Sequence, residues 1–175
     1  MEWVKPEEIE TRSMQIIESE MPKGNWTPGE LLVVKRCIHT SADFDYAENL
    51  YFSDHAVERA IELLKAGATI VTDTNMGMAG INKRALSALN ASVRCFMADP
   101  DVAREAKERG VTRAVVSMEH AGKLEGPVIF AVGNAPTALI RLYDDSGGND
   151  LAGIYHWSAG RIRQRRGIEG TDLRS

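Results

Sequence analysis

Three short apolar runs, separated by segments with helical character, constrain the fold of this chain more than any other feature. The runs cover residues 68–72, 93–97 and 127–132. Strands of continuous apolar character are buried on both faces, and their alternation with helices is typical of a parallel sheet. We therefore predict an α/β fold, in which a single domain has a mostly parallel central sheet flanked by helices.

An N-terminal helical segment precedes the sheet. A first helix is predicted over residues 6–21, because it opens with Pro-Glu-Glu, which suits the first turn of a helix. A second is predicted over residues 28–39, because Thr27 and Glu30 have the spacing of a capping box. The apolar run at residues 31–34 could by itself also form a buried strand.

The segments between the apolar runs also have helical patterns. Ser53 is expected to cap the helix after the N-terminal segment, and Gly67 to end it in the left-handed conformation. Residues 43–52 show no clear period. The helices predicted before, between and after the strands cover residues 54–66, 81–89, 100–109 and 112–122 and begin again at Pro136.

The last thirty or so residues differ from the rest. Residues 144–150 form a polar, glycine-rich break, residues 161–166 contain four arginines, and no apolar period is visible after Ile154. We therefore divide the chain into a domain at residues 1–143 and an atypical, poorly ordered tail at residues 144–175. The tail carries five acids against five arginines, so a function in binding anionic surfaces has little support.

Composition excludes several classes of protein. The chain has 175 residues, 43% of them hydrophobic, which suits one globular domain with its own core. A net charge of −4 argues against a nucleic-acid partner, and the apolar runs are far shorter than a membrane helix. Two cysteines cannot build a disulfide framework, and the N-terminus does not resemble a signal peptide. We expect a cytoplasmic protein with neither a nucleic-acid nor a membrane partner.

The loops after the apolar runs are the first places to look for a ligand site, because ligands of open α/β sheets bind at the carboxyl ends of strands. Residues 73–78 follow one run and residues 133–137 follow another. The second loop leads into a helix whose backbone N–H groups could hold a carboxylate or phosphate. An unrelated phosphate-binding α/β domain is thus one alternative. A phospho-receiver role for Asp73 has little support, because the other acidic and lysine positions of that class are missing.

The histidines and cysteines give no metal-ligand spacing, so no metal site is predicted. His55 and His120 suit ordinary surface roles. His39 differs, because it ends the second helix and shares a face with Arg36, three residues earlier, and Leu32, seven residues earlier. On spacing alone, a structural role for His39 is still the better explanation.

Four motifs in order give a more specific indication. Together they resemble the precorrin-8X methylmutase family of corrin biosynthesis, which includes the cobalt-precorrin-8 methylmutases, over about residues 5–143. The motifs are Arg12-Ser13, Lys35-Arg36-Cys37-Ile38-His39, Asp73-x-x-Met76-x-x-x-Gly80-Ile81 and Gly133-Asn134-Ala135-Pro136-Thr137-Ala138-Leu139.

This resemblance implies an isomerase that moves a methyl group from C-11 to C-12 of a tetrapyrrole, giving hydrogenobyrinate or its cobalt form. It also implies a homodimer that needs no cofactor. His39 would be the catalytic residue, since histidine can exchange a proton near neutral pH. Arg36 would grip a substrate carboxylate. The substrate-binding residues implied by the match are Ser13, Arg36, Arg12, Asn75 and Asn134.

The C-terminus departs from the family pattern. Family members continue with a segment like Gly-x-Pro-Val-Gly-Phe-Val-Asn-Ala-Ala-Glu-Ser-Lys. With permitted codons, the stretch from Trp157 read one nucleotide later spells Gly-Ala-Pro-Val-Gly-Phe-Val-Asn-Ala-Ala-Glu-Ser-Lys. Our hypothesis is that the tail is an out-of-frame translation of this segment. The alternative function is therefore a catalytically impaired homologue that binds a tetrapyrrole.

Overall fold

The computed structural model of this chain describes residues 6–145 and 154–156. The helices up to Phe52 form one compact unit, and the sheet with its helices from Ser53 onward forms another. We refer to them as the helical unit and the sheet unit. The elements in chain order are α1 (Pro6–Glu20), α2 (Pro28–Ser41), α3 (Tyr46–Asn49), α4 (Ala56–Lys65), β1 (Thr69–Thr72), α5 (Asn75–Gly80), α6 (Lys83–Ala88), β2 (Ser92–Arg94), α7 (Pro100–Arg109), α8 (Arg113–Ala121), β3 (Val128–Val132), α9 (Pro136–Asp145) and β4 (Ile154–His156).

The helical unit packs α1 against α2 through a small apolar core. Its buried members are Ile17, Val34 and Ile38, and aromatic side chains of the following loop and α3 pack against them. The capping box at the start of α2 is formed. The backbone N–H of Thr27 donates to Glu30 Oε2 at 2.8 Å, and the Glu30 N–H donates to Thr27 Oγ1 at 3.3 Å. Residues 31–34 are therefore helical, and the strand interpretation is wrong.

The sheet unit is built on parallel strands in the order β2-β1-β3-β4. One face carries the main core, to which β1 contributes Val71 and β3 contributes Val132, and helices α7, α8 and α9 cover it. Successive side chains of a strand point to opposite faces, so Ile70 and its register partner Ile129 lie on the other face. The predicted α/β fold with a parallel sheet flanked by helices is confirmed.

Several local predictions need correction. Strand β2 is shorter than predicted, and helices α3 and α5 occupy segments for which no helix was predicted. Helix α4 begins after His55 rather than after Ser53, because His55 takes a left-handed backbone conformation with φ of 58°. Gly67 does have the predicted left-handed conformation, with φ of 80°. A short strand, β4, lies inside the segment that we assigned to the tail.

Ion pairs join the three helices that cover the main core. Arg109 of α7 bonds Glu119 of α8 and, within its own helix, Glu105 at 2.6 Å. Arg141 of α9 also reaches Glu119, at 3.2 Å. Hydrogen bonds from His120 and Arg109 lower the pKa of Glu105, and the hydrogen bonds from Arg109 lower the pKa of Glu119. Within residues 6–145 and 154–156, no helix has the length and apolar character needed to cross a membrane.

Candidate active site

The centre of the site in the helical unit is a hydrogen bond between two predicted site residues. Oγ of Ser13 in α1 lies 2.7 Å from Nδ1 of His39 in the last turn of α2. The partners are 26 residues apart, so the α1–α2 packing forms this contact. Either group can donate, depending on the tautomer of the ring. A fixed partner on Nδ1 holds the imidazole ring in one orientation.

The Ser13–His39 pair lines an open cleft with a volume of about 320 Å³. Its walls are mostly apolar, and its polar side chains come from the two helices. Ile9 and Ile16 on α1 are 54% and 46% exposed, so apolar surface next to His39 is open to solvent. The residues lining the cleft are Ile9, Arg12, Ser13, Ile16, Ile17, Glu20, Ile38, His39, Ala42 and Phe44.

Arg36 lies one turn before His39 on α2 and is paired with a carboxylate that sequence reasoning missed. Its Nη2 donates to Glu10 Oε1 at 2.8 Å, and both side chains are 59% exposed. Lys35 makes a similar bond of 2.8 Å to Glu18, so two cations of α2 are paired with two acids of α1. Residue spacing within one helix could not show this, since each pair joins different helices.

Two other ionisable side chains lie near this end of α2. Burial raises the pKa of the Cys37 thiol. Burial, followed by the nearby Cys37 and Asp43, raises the pKa of Tyr46. Both groups are therefore protonated at neutral pH, and a protonated thiol is a poor nucleophile. Neither side chain resembles an activated nucleophile.

In the sheet unit, Asp73 occupies one of the places where a ligand could have bound. It follows β1, is 2% exposed, and its carboxylate accepts three backbone N–H groups of the β3–α9 loop. Gly133 donates to Oδ1 at 2.9 Å, and Asn134 and Ala135 each donate to Oδ2 at 2.8 Å. Asp73 already accepts these three N–H groups, so they are not free to hold a substrate carboxylate or phosphate, which the sequence had left possible. A buried carboxylate is also a poor phospho-acceptor.

The two predicted asparagines lie beside this buried carboxylate in the sheet unit. Asn75 is the first residue of α5, directly after Thr74, whose Oγ1 accepts the N–H of Gly77 at 3.0 Å. Asn134 lies in the loop held by Asp73, and both asparagine side chains are exposed. The structure thus brings Arg12, Ser13 and His39 to one cleft, with Arg36 paired nearby. The functional roles of all six residues stay predictions.

Comparison with known proteins identifies the family of this chain. A model of the precorrin-8X methylmutase family matches residues 8–151. The chain belongs to this family. The matched range includes the Ser13–His39 pair, Asp73 and the β3–α9 loop, so all of them lie in the part shared with other members.

Individual relatives are named cobalt-precorrin-8 methylmutase or precorrin-8X methylmutase. A cobalt-precorrin-8 methylmutase of Priestia megaterium is 36% identical over 139 residues, which are 79% of this chain and 62% of that protein. One of Salmonella typhimurium is 38% identical over 146 residues, covering 80% of this chain and 70% of that protein. The precorrin-8X methylmutase of Thermus thermophilus superposes with a TM-score of 0.73 at 35% identity, covering 82% of this chain and 69% of that one. The chain thus spans less than two thirds of the Priestia relative.

Proposed function

We propose that this member of the precorrin-8X methylmutase family is an isomerase that moves a methyl group from C-11 to C-12 of precorrin-8X or cobalt-precorrin-8. In this reaction the bond from the methyl group to C-11 breaks and a bond to C-12 forms, so no atom is gained or lost. The observation that carries the proposal is the Ser13–His39 hydrogen bond at an open, mostly apolar cleft in a chain of this family.

His39 is proposed as the proton donor. A proton given to the macrocycle favours the tautomer in which the methyl group can migrate around the conjugated ring. With Nδ1 held by Ser13, the other ring nitrogen, Nε2, exchanges this proton with the substrate. Because substrate and product are isomers, the proton returns to His39 before the next turnover. General acid catalysis of this kind typically gives about 10²–10⁴-fold, and orientation of the ring supplies the rest.

The remaining predicted residues are proposed to bind the tetrapyrrole. Arg36 is suited to a substrate carboxylate, because a guanidinium can bind both carboxylate oxygens. In the free protein it is paired with Glu10, and this exposed pair is weak enough to be replaced. Arg12 and Ser13 line the cleft, and Asn75 and Asn134 expose amide groups in the sheet unit. We propose that the protein acts in the cytoplasm as a homodimer.

The direct test is turnover. The purified chain is mixed with precorrin-8X and, separately, with cobalt-precorrin-8, and the change in absorbance is followed. Conversion of either substrate supports the proposal and identifies the preferred form. Binding without conversion supports instead the alternative of an impaired tetrapyrrole-binding homologue, for which the unusual C-terminus is the motivating observation. If the chain neither binds nor converts either tetrapyrrole, both proposals are overturned.

We further propose that the residues from about 157 onward are an out-of-frame translation of the family's C-terminal segment. The support is that permitted codons for this stretch spell that segment when read one nucleotide later. The nucleotide sequence decides the matter. Codons that spell an unrelated peptide in the shifted frame overturn the proposal, and resequencing the codons for residues 142–157 separates a genuine lesion from a sequencing error.

A further inference from the structure

The Asp73 carboxylate is buried, and its hydrogen-bond partners lie in a loop far along the chain. It is 2% exposed and accepts N–H groups from three consecutive residues that lie 60 to 62 positions further along the chain. Three bonds of 2.8 to 2.9 Å to one carboxylate are within the range for charge-assisted hydrogen bonds. The side chain therefore fixes the β3–α9 loop against the end of β1.

The place of these contacts suggests more than stability of the fold. The loop held by Asp73 carries Asn134, whose side chain is exposed, and the residue two positions after Asp73 is Asn75. β1 and β3 are neighbours in the sheet, so both loops lie at the carboxyl edge where ligands of parallel sheets bind. A carboxylate that ties these two loops together sets the position of both amides.

We propose that Asp73 is a positioning residue, which holds the Asn134 loop in the conformation that contacts the tetrapyrrole. This inference rests on the proposed function, since it assigns Asp73 a part in substrate binding. Asp73 itself does not touch the substrate, because its carboxylate is buried and committed to backbone N–H groups. Substrate carboxylates are then held by side chains and not by the backbone at the start of α9.

A double-mutant cycle tests this role. The ligand is hydrogenobyrinate, the metal-free product, so no turnover occurs during the titration. Asn134→Ala and Asp73→Asn are each expected to weaken binding about 5-fold, the size of one hydrogen bond. If Asp73 acts through Asn134, the double variant binds hydrogenobyrinate no more weakly than the single variant with the lower affinity. Additive losses, about 25-fold in the double variant, overturn the proposal.

A matched control separates positioning from general loss of stability. Asn82 caps α6 in the same unit, and its Oδ1 accepts the N–H of Ala85 at 3.0 Å. Asn82→Ala removes one side chain–backbone bond without touching the β3–α9 loop, so the Kd for hydrogenobyrinate should stay within about 2-fold. A loss equal to that of Asp73→Asn shows that destabilisation alone weakens binding, and contradicts the proposal.

A second variant covers the case in which Asp73→Asn does not fold. Asp73→Ala leaves space for a small carboxylate beside three N–H donors, so sodium formate should raise its melting temperature and restore its affinity for hydrogenobyrinate, relative to sodium chloride. The parent chain should respond equally to both salts. Stabilisation by formate without recovered affinity overturns the positioning role. A parent chain that does not bind hydrogenobyrinate at all counts against the proposed function, while formate still tests how the loop is held.

Discussion

The helical unit and the sheet unit hold their candidate functional side chains in opposite ways. Around His39 the polar side chains are half-buried or exposed, and the Arg36–Glu10 pair is open to solvent. The candidate amide of Asn134 is exposed, but the backbone of its loop is fixed by the buried carboxylate of Asp73. From this difference we expect that Arg36 can exchange Glu10 for another partner, whereas the backbone around Asn134 is fixed in advance.

After substitution of His39 itself, the largest effect is expected from Ser13→Ala, which tests how His39 is held. The variant loses the 2.7 Å contact to Nδ1, while α1 keeps its helix. A hydrogen bond to a charged group contributes about 1.5–3 kcal/mol, which corresponds to about 10- to 160-fold in rate. We expect kcat to fall by that factor. Ser19→Ala on the exposed part of the same helix serves as control, and equal rates for Ser13→Ala and the parent would contradict the role of Ser13.

A medium effect is expected at the start of α2, the helix that presents His39. Thr27→Ala removes the side chain that accepts the Glu30 N–H, and loss of a cap of this kind costs about 1 kcal/mol. Urea denaturation should show this decrease in the free energy of unfolding. Thr27→Ser keeps the hydroxyl and should lie within about 0.3 kcal/mol of the parent. If both variants lose stability equally, the cap is not the cause.

The pH dependence of stability is expected to come from the sheet unit. The hydrogen bonds from Arg109 lower the pKa of Glu119 in the folded protein. A lowered folded pKa means stability that is fully present above the unfolded pKa and is lost as the pH falls through the folded value. Glu119→Gln should therefore be less stable than the parent at neutral pH, and the difference should shrink below about pH 4.5. A difference that stays constant from pH 7 to pH 3 would contradict this assignment.

The smallest effect is expected from Glu10→Gln. Because the Arg36–Glu10 pair is 59% exposed on both sides, its loss should change stability by less than about 0.5 kcal/mol. Arg36 no longer has a competing carboxylate, so hydrogenobyrinate should bind a few-fold more tightly. Glu18→Gln, which removes the comparable partner of Lys35, is the matched control. Weaker binding of Glu10→Gln alone would show that Glu10 supports the site and does not compete for Arg36.

Much of the fold could be predicted because it depends on local patterns. The capping box at Thr27, the left-handed Gly67 and the apolar strand runs β1 and β3 are read directly from neighbouring residues. Short elements were missed where the local pattern is weak. Helix α3 is four residues long, and β4 is three residues long and forms by pairing with β3.

The candidate site could be predicted in its chemistry but not in its contacts. The motifs named His39 and Ser13, yet nothing in their spacing shows that the two share a hydrogen bond across 26 residues. The same holds for Glu10 and Arg36 on different helices. Asp73 was noticed after an apolar run and in one of the motifs, but its distant backbone partners become visible only when β1 and β3 pair. Long-range polar contacts are products of the packing and leave no local signal.

The measurement that tests the account most directly is kcat of His39→Ala at saturating precorrin-8X or cobalt-precorrin-8, whichever the parent converts. His55→Asn is its matched control, because His55 is an exposed histidine in the other unit and asparagine tolerates its left-handed backbone. The account predicts a fall of about 10²–10⁴-fold for His39→Ala and an unchanged rate for His55→Asn. A His39→Ala variant that converts the tetrapyrrole as fast as the parent would contradict it.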